Sequence, residues 1–136
     1  MAALTSDRNT PIRSGQTLIM PVAGGKKIYA GALVARNSNG YAVPGETAVG
    51  LIGLGRAESS VDNTTGTDGS LTIEIRKGVF RFSNSSGSDE ITKQDIGLDC
   101  YIVDDQTVAK TDGTGSRSRA GKVFDVEPNG VWVKFD

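Results

Sequence analysis

The sequence predicts an all-β protein: a small barrel or sandwich-like domain of short strands with an extended N-terminal arm. Three observations predict it. Apolar and β-branched residues come in runs of three to ten, broken by Gly and Pro, which is strand punctuation. Among the 136 residues are 18 glycines, many beside Asn, Asp, Ser or Thr, the composition of tight turns. Only one stretch, residues 88–97, carries helix signals: Ser88 as a cap, Asp89-Glu90 for the first turn and Gly97 as a stop. A chain of this length is one domain and buries about 68% of its unfolded surface, enough for one modest core.

Residues 1–15 have no periodic apolar face and contain Pro11 and Gly15, so they read as an arm, or equally as a frayed terminus. The domain proper is residues 16–136. Strands are expected at Thr17–Val22, Lys27–Arg36, Tyr41–Val43 and Val49–Ala57, the last bent or bulged by Gly50, Gly53 and Gly55. In Leu71–Phe82, Leu71, Ile73 and Ile75 alternate with Thr72, Glu74 and Arg76. The phase then changes after Lys77-Gly78 to Phe80 and Phe82, which predicts a β-bulge. The closing strand points Val131, Val133 and Phe135 one way and Trp132 and Lys134 the other. Asn39-Gly40, Asp68-Gly69, Asp112-Gly113 and Asn129-Gly130 supply turns. Exposed loops are expected at Ser59–Gly69 and Thr111–Ser118.

A weak internal echo relates the two halves. Ala32-Leu33-Val34-Ala35, then Tyr41-Ala42-Val43 and Leu51-Ile52, resembles Cys100-Tyr101-Ile102-Val103, then Thr107-Val108-Ala109 and Val123-Phe124. Duplicated hairpin units would produce it, as would chance similarity among short strands.

Charge and composition set aside several classes of function. The net charge is −1, with six basic and five acidic groups in residues 1–68 and nine and eleven in the remainder. Nucleic-acid binding rests on a basic surface, and none is expected here. No apolar run approaches membrane-spanning length and no leader pattern opens the chain, so a soluble protein made in a cytoplasm is expected. There is no histidine, which removes Ser-His-Asp and Cys-His catalysis and imidazole metal sites. Cys100, between apolar neighbours, reads as a buried small hydrophobe. Gly24-Gly25-Lys26-Lys27 lacks P-loop spacing, and Asp89-Glu90 and Asp104-Asp105 read as turn and cap acids. The basic clusters Arg76, Lys77, Arg81 and Arg117, Arg119, Lys122 suit solvated strand faces or a partner's acids. The expectation is a protein with no catalytic residues, metal or cofactor, acting by binding other surfaces.

In order, Ile91-Thr92, Asp95-Ile96-Gly97, Tyr101, Asp104-Asp105, Thr107-Val108, Arg119-Ala120-Gly121-Lys122-Val123, Asp125-Val126 and Gly130-Val131-Trp132-Val133 form a pattern. It resembles that of the small head-decoration, or cement, proteins of tailed phages, and the likeness is best over residues 71–136. The resemblance implies a virion protein on the capsid exterior, a homotrimer that binds the major capsid protein and holds adjoining capsomers together. The capsid-contacting residues expected are Arg8, Ile12 and Arg13 of the arm and Asp62 and Asp68 of the following loop. Alternatives are another virion part, such as a tail-tube or head–tail joining protein, and a carbohydrate-binding module using Trp132, Tyr29, Tyr41 and Tyr101.

Overall fold

The computed structural model describes residues 2–13 and 15–136. Met1 and Ser14, both within the expected arm, lie outside the described residues. Residues 2–13 form no helix or strand and are exposed throughout.

The chain then makes two sheets in succession. The first uses β1 (Thr17–Pro21), β3 (Leu33–Arg36), β4 (Ala42–Pro44), β5 (Ile52–Ala57) and β7 (Thr72–Arg76), in the order β1-β7-β5-β3-β4. The second uses β8 (Gly78–Phe82), β9 (Asp99–Ile102), β10 (Val108–Ala109), β11 (Arg119–Glu127) and β12 (Gly130–Phe135), in the order β10-β9-β11-β12-β8. A two-stranded sheet of β2 (Lys26–Ile28) and β6 (Val61–Asn63) is inserted in the first half. All these strand pairs are antiparallel. In each half the sheet curls so that its two outermost strands approach. A single parallel bridge joins them, Val22 to Ala42 in the first half and Ser83 to Thr107 in the second. Such curling covers strand edges and gives each half a barrel-like form.

The two sheets are the same unit twice. Within each, a first strand is followed by a hairpin, a strand pairing with the hairpin's first arm, and a last strand lying between that one and the first. The register agrees residue by residue. Val34 pairs with Pro44 and Gly55, and Cys100, 66 positions on, occupies the same place opposite Gly121, itself 66 after Gly55. The ladder slips once in each, leaving Leu54 and Ala120 as the extra residues. A Cβ at Gly55 would lie 2.2 Å from the Arg76 carbonyl oxygen, and one at Gly121 would lie 2.4 Å from that of Lys134. Arg76 and Lys134 hold the same place in their sheets, paired with Arg56 or neighbouring β11 through Lys122. The duplication is therefore present in the topology. Tyr41–Val43 matches Thr107–Ala109, as the sequence echo has it, but Val34, not Ala32, matches Cys100.

Alternation on β3 explains how the halves stack. Ala32 and Val34 enter the first core with Val22, Ile28, Ala42, Leu54, Ile73 and Ile75. Leu33 and Ala35 point the other way, into a second core with Cys100, Ile102, Val108, Val123, Val131, Val133 and Phe135. The first sheet is thus buried on both faces there: its back covers the second unit's core, and β2 and β6 supply Ile28 and Val61 to its own. Gly53 makes this stacking possible, because a Cβ there would lie 2.1 Å from the Ala120 carbonyl oxygen. Polar links cross the same seam. Leu33 N–H donates to Asp105 O (2.8 Å), Thr47 Oγ1 to Val103 O (2.8 Å), and Ser118 Oγ receives Leu51 N–H while donating to Ala48 O.

Four expectations change. Lys27–Arg36 is two strands, because the chain turns at Tyr29–Ala32 with Gly31 at φ 87°. Leu71–Phe82 is not one bulged strand: β7 ends the first sheet and β8 begins the second, and Gly78 (φ 150°) is the joint. Residues 59–69 contain β6, pinned by buried Asn63, whose Nδ2 donates to Val22, Ala23 and Thr67 carbonyls. The expected helix is two 3-10 turns, Gly87–Asp89 and Lys93–Asp95. Thr92 rather than Ser88 caps, in a capping box with Asp95.

Candidate functional site

Three surfaces contain the groups that sequence reasoning singled out. The first is the arm. Ile12 is 96% exposed and Leu4 72%, while Arg8 and Arg13 are exposed and, among the described residues, paired with no carboxylate. A bare isoleucine beside unpaired arginines is adhesive chemistry, since burying each apolar group against a partner is favourable. The arm is rooted firmly: Lys77 N–H donates to Gln16 O at 2.7 Å, where the two halves join.

The second surface is the segment from β6 to β7. Asp62 is exposed, and its carboxylate accepts the Thr64 hydroxyl and backbone N–H. That hydroxyl above all, then the N–H, holds the Asp62 carboxyl below its usual pKa. Asp68 Oδ1 accepts Gly24 N–H at 2.7 Å, tying this loop to the turn before β2. A Cβ at Gly24 would lie 2.9 Å from Gly66 O, so the two turns pack backbone to backbone. Both acids therefore shape a rigid loop and still face solvent.

The third surface was only partly visible in the sequence. Trp132 does face away from the core, as alternation predicts, but Phe124 joins it there. The β11–β12 register slips between Val123 and Asp125, and the slip releases Phe124 to the outside, 58% exposed. Val79, Phe124 and Trp132 line a shallow, mainly apolar depression with Asp125 and Glu127 at its margin. Trp132 is held in place. Its indole N–H donates to Glu127 Oε1, and the Arg81 guanidinium lies 5.8 Å from its ring centroid. The signal that could have found Phe124 is Val123-Phe124-Asp125-Val126, whose apolar residues fit no strict alternation.

Other candidates resolve into structural roles. Cys100 is fully buried, and burial above all pushes its thiol up to about 12, so it is a thiol rather than a nucleophilic thiolate at neutral pH. Asp89 accepts the Thr111 hydroxyl and Arg117 Nη1 (3.3 Å), which hold its carboxyl down, the hydroxyl most strongly. Asp99 is held down by Arg119 Nε (2.7 Å), then by Lys122 Nζ (3.3 Å). Arg117, Arg119 and Lys122 thus spend their charge within the chain. Asp104 Oδ1 accepts Gln106 N–H in a local turn, as its turn role predicts. The four aromatics of a carbohydrate strip are not brought into one row. Tyr41 packs on the core, Tyr29 lies beneath Lys27 Nζ at 4.9 Å, and β11 separates Tyr101 on β9 from Trp132 on β12. No described helix is long and apolar enough to cross a membrane.

No family model, curated protein or solved structure matches this chain.

Proposed function

We propose that this chain is a phage capsid decoration protein, which binds the outer surface of the assembled head through its arm and its 62–68 loop. The observation that carries the reading is the pairing of a doubly packed β body with an uncovered, adhesive arm rooted at the joint between its halves. A protein that clamps neighbouring capsomers needs a body that does not deform and a segment that can reach. Twelve described arm residues, fully extended, span about 40 Å. Ordering such a segment costs conformational entropy, so binding favours the assembled surface where every contact is available together. The residues that resemble cement proteins fall within one unit: the Thr92–Asp95 cap, β9, the Asp104-Asp105 bend, β10, β11 and β12.

Co-sedimentation of the purified protein with undecorated expanded heads, with unexpanded proheads as control, tests this. Saturable binding to expanded heads, weakened by removing residues 2–13 while the fold persists, is the expected result. No binding of the folded protein to either particle would overturn the reading and favour a tail or joining protein.

A further inference from the structure

We propose that this chain forms an exchanged dimer, in which Gly78 straightens and the first half of each copy packs on the second core of the other. The chain crosses the seam once. Every strand of the first half lies before Lys77 and every strand of the second begins at Gly78 or later, so the halves part without unthreading. The crossing is a single glycine between two strands, held at φ 150°, a conformation that glycine adopts far more readily than other residues. A joint this short favours exchange between copies.

Alternation along the joined strand decides where the faces go. Arg76 pairs with Arg56, and Arg56 with Leu33, so Thr72, Glu74 and Arg76 lie on the first sheet's outer face. Phe80 and Phe82 belong to the second core. In one straight strand all even-numbered residues share a side. A straight Thr72–Phe82 therefore sets the first sheet's outer face and the second core side by side, looking the same way and out of each other's reach. Both are then bare. Leu33 and Ala35, wholly buried in the closed chain, come off the second core together with Ala23 and Val43. Apolar faces of this kind are driven to find a cover. The closed chain itself shows what covers them, since Leu33 and Ala35 already fit the second core and Gly53 already admits the Ala120 carbonyl. A second copy opened in the same way offers the same two faces, and a two-fold axis brings both pairs together at once. The Leu33–Asp105, Thr47–Val103 and Leu51–Ser118 hydrogen bonds are then remade between chains. Closed and exchanged forms bury the same seam and differ at the joint, so concentration and the conformation of residue 78 set the balance between them.

The purified full-length chain is unfolded in urea, refolded without capsids at low and at high concentration, and examined by sedimentation velocity. The expected result is monomer at low concentration and, at high concentration, a dimer of unchanged circular dichroism. That dimer should persist on dilution, because it dissociates only by opening both seams. Gly78→Val disfavours the positive φ of the closed joint and suits the extended one, so it should raise the dimer share roughly tenfold or more. A short bismaleimide joining Thr47→Cys to Asp104→Cys identifies the exchange. Both positions are exposed, on either side of the Thr47–Val103 hydrogen bond, and Cys100 is buried. The link should fall between chains in the dimer and within the chain in the monomer. A chain that refolds only to monomer at high concentration would overturn the proposal, whether or not Gly78→Val folds. A dimer cross-linked only within chains would overturn it as well. Because no capsid is present, these failures are distinct from failure of the decoration reading.

Discussion

The first and second sheets share a topology and a register, yet their equivalent outer faces have opposite characters. In the first sheet this face carries Leu33, Ala35, Gly53 and Arg56: Leu33 and Ala35 are buried in the second core, and Gly53 and Arg56 are half-buried at its edge. Arg56 there stacks 4.4 Å from the Phe80 ring centroid, and Gly53 admits the backbone of β11. In the second sheet the same positions are Asp99, Tyr101, Arg119 and Lys122, and the Asp99 carboxylate holds both cations at the surface. The inner faces, by contrast, match: Val34 and Cys100, Ile73 and Val131, Ile75 and Val133, Leu18 and Phe80, Met20 and Phe82. One backbone plan thus makes either a stacking layer or a terminal one. Four side chains decide which, because an apolar face without Cβ at its closest point invites another sheet and a salt-bridged face stays in water.

The comparison breaks most sharply at Gly53. Gly53→Val places a side chain on the Ala120 carbonyl and should force the halves apart, costing about 3 kcal/mol or preventing folding. Arg119→Ala, at the equivalent place in the second sheet, should cost less than about 1 kcal/mol. Urea denaturation of both variants reads the contrast; equal costs would show that the two faces do not differ as described. Leu33→Ala should follow, losing about 2–5 kcal/mol from the second core although Leu33 belongs to the first sheet.

A subtler test exchanges the halves' chemistry. Cys100→Val installs the residue found at the matching place in β3 and should change stability by less than about 1.5 kcal/mol. Cys100→Asp, which buries a charge, should prevent folding. The smallest effect concerns acid. Asp89 has its carboxyl held below the ordinary value near 4 by Thr111 and Arg117, so protons bind the unfolded chain more readily. Its contribution is fully present above about pH 4 and is lost as pH falls through the lower folded value. Asp89→Asn should therefore lower the urea midpoint slightly at pH 7 and flatten its fall below about pH 4, so that the two proteins converge in acid.

Much of this was legible from residues alone. Alternation in Thr72–Arg76 and Val131–Phe135 matches the buried and exposed faces, although Leu71, expected beside Ile73 and Ile75, is 44% exposed before the strand begins; Gly beside Asn or Asp marks real turns at Gly40, Gly69 and Gly113 with positive φ. The all-β class followed from the same local rules. What was not legible depends on pairing at a distance. The joint at Gly78 looks locally like a bulge, because a change of phase at glycine has one sequence signature whether the strand continues or changes sheet. β6 was hidden in polar composition, since Asn63 is buried for its hydrogen bonds rather than its hydrophobicity. Phe124 reached the surface through a slip in the β11–β12 ladder that no single strand reveals. Of the expected contact residues, Arg8, Ile12 and Arg13 lie open on the arm, while Asp62 and Asp68 also serve their own turns.

Hydrogen-exchange footprinting of the protein bound to expanded heads, against the free protein at the same concentration, tests the central claim most directly. The account predicts new protection of the backbone across residues 2–13 and 62–68, with β3, β5, β11 and β12 unchanged because they are already covered or paired. Bound protein in which the arm and that loop exchange as fast as in the free chain would contradict it.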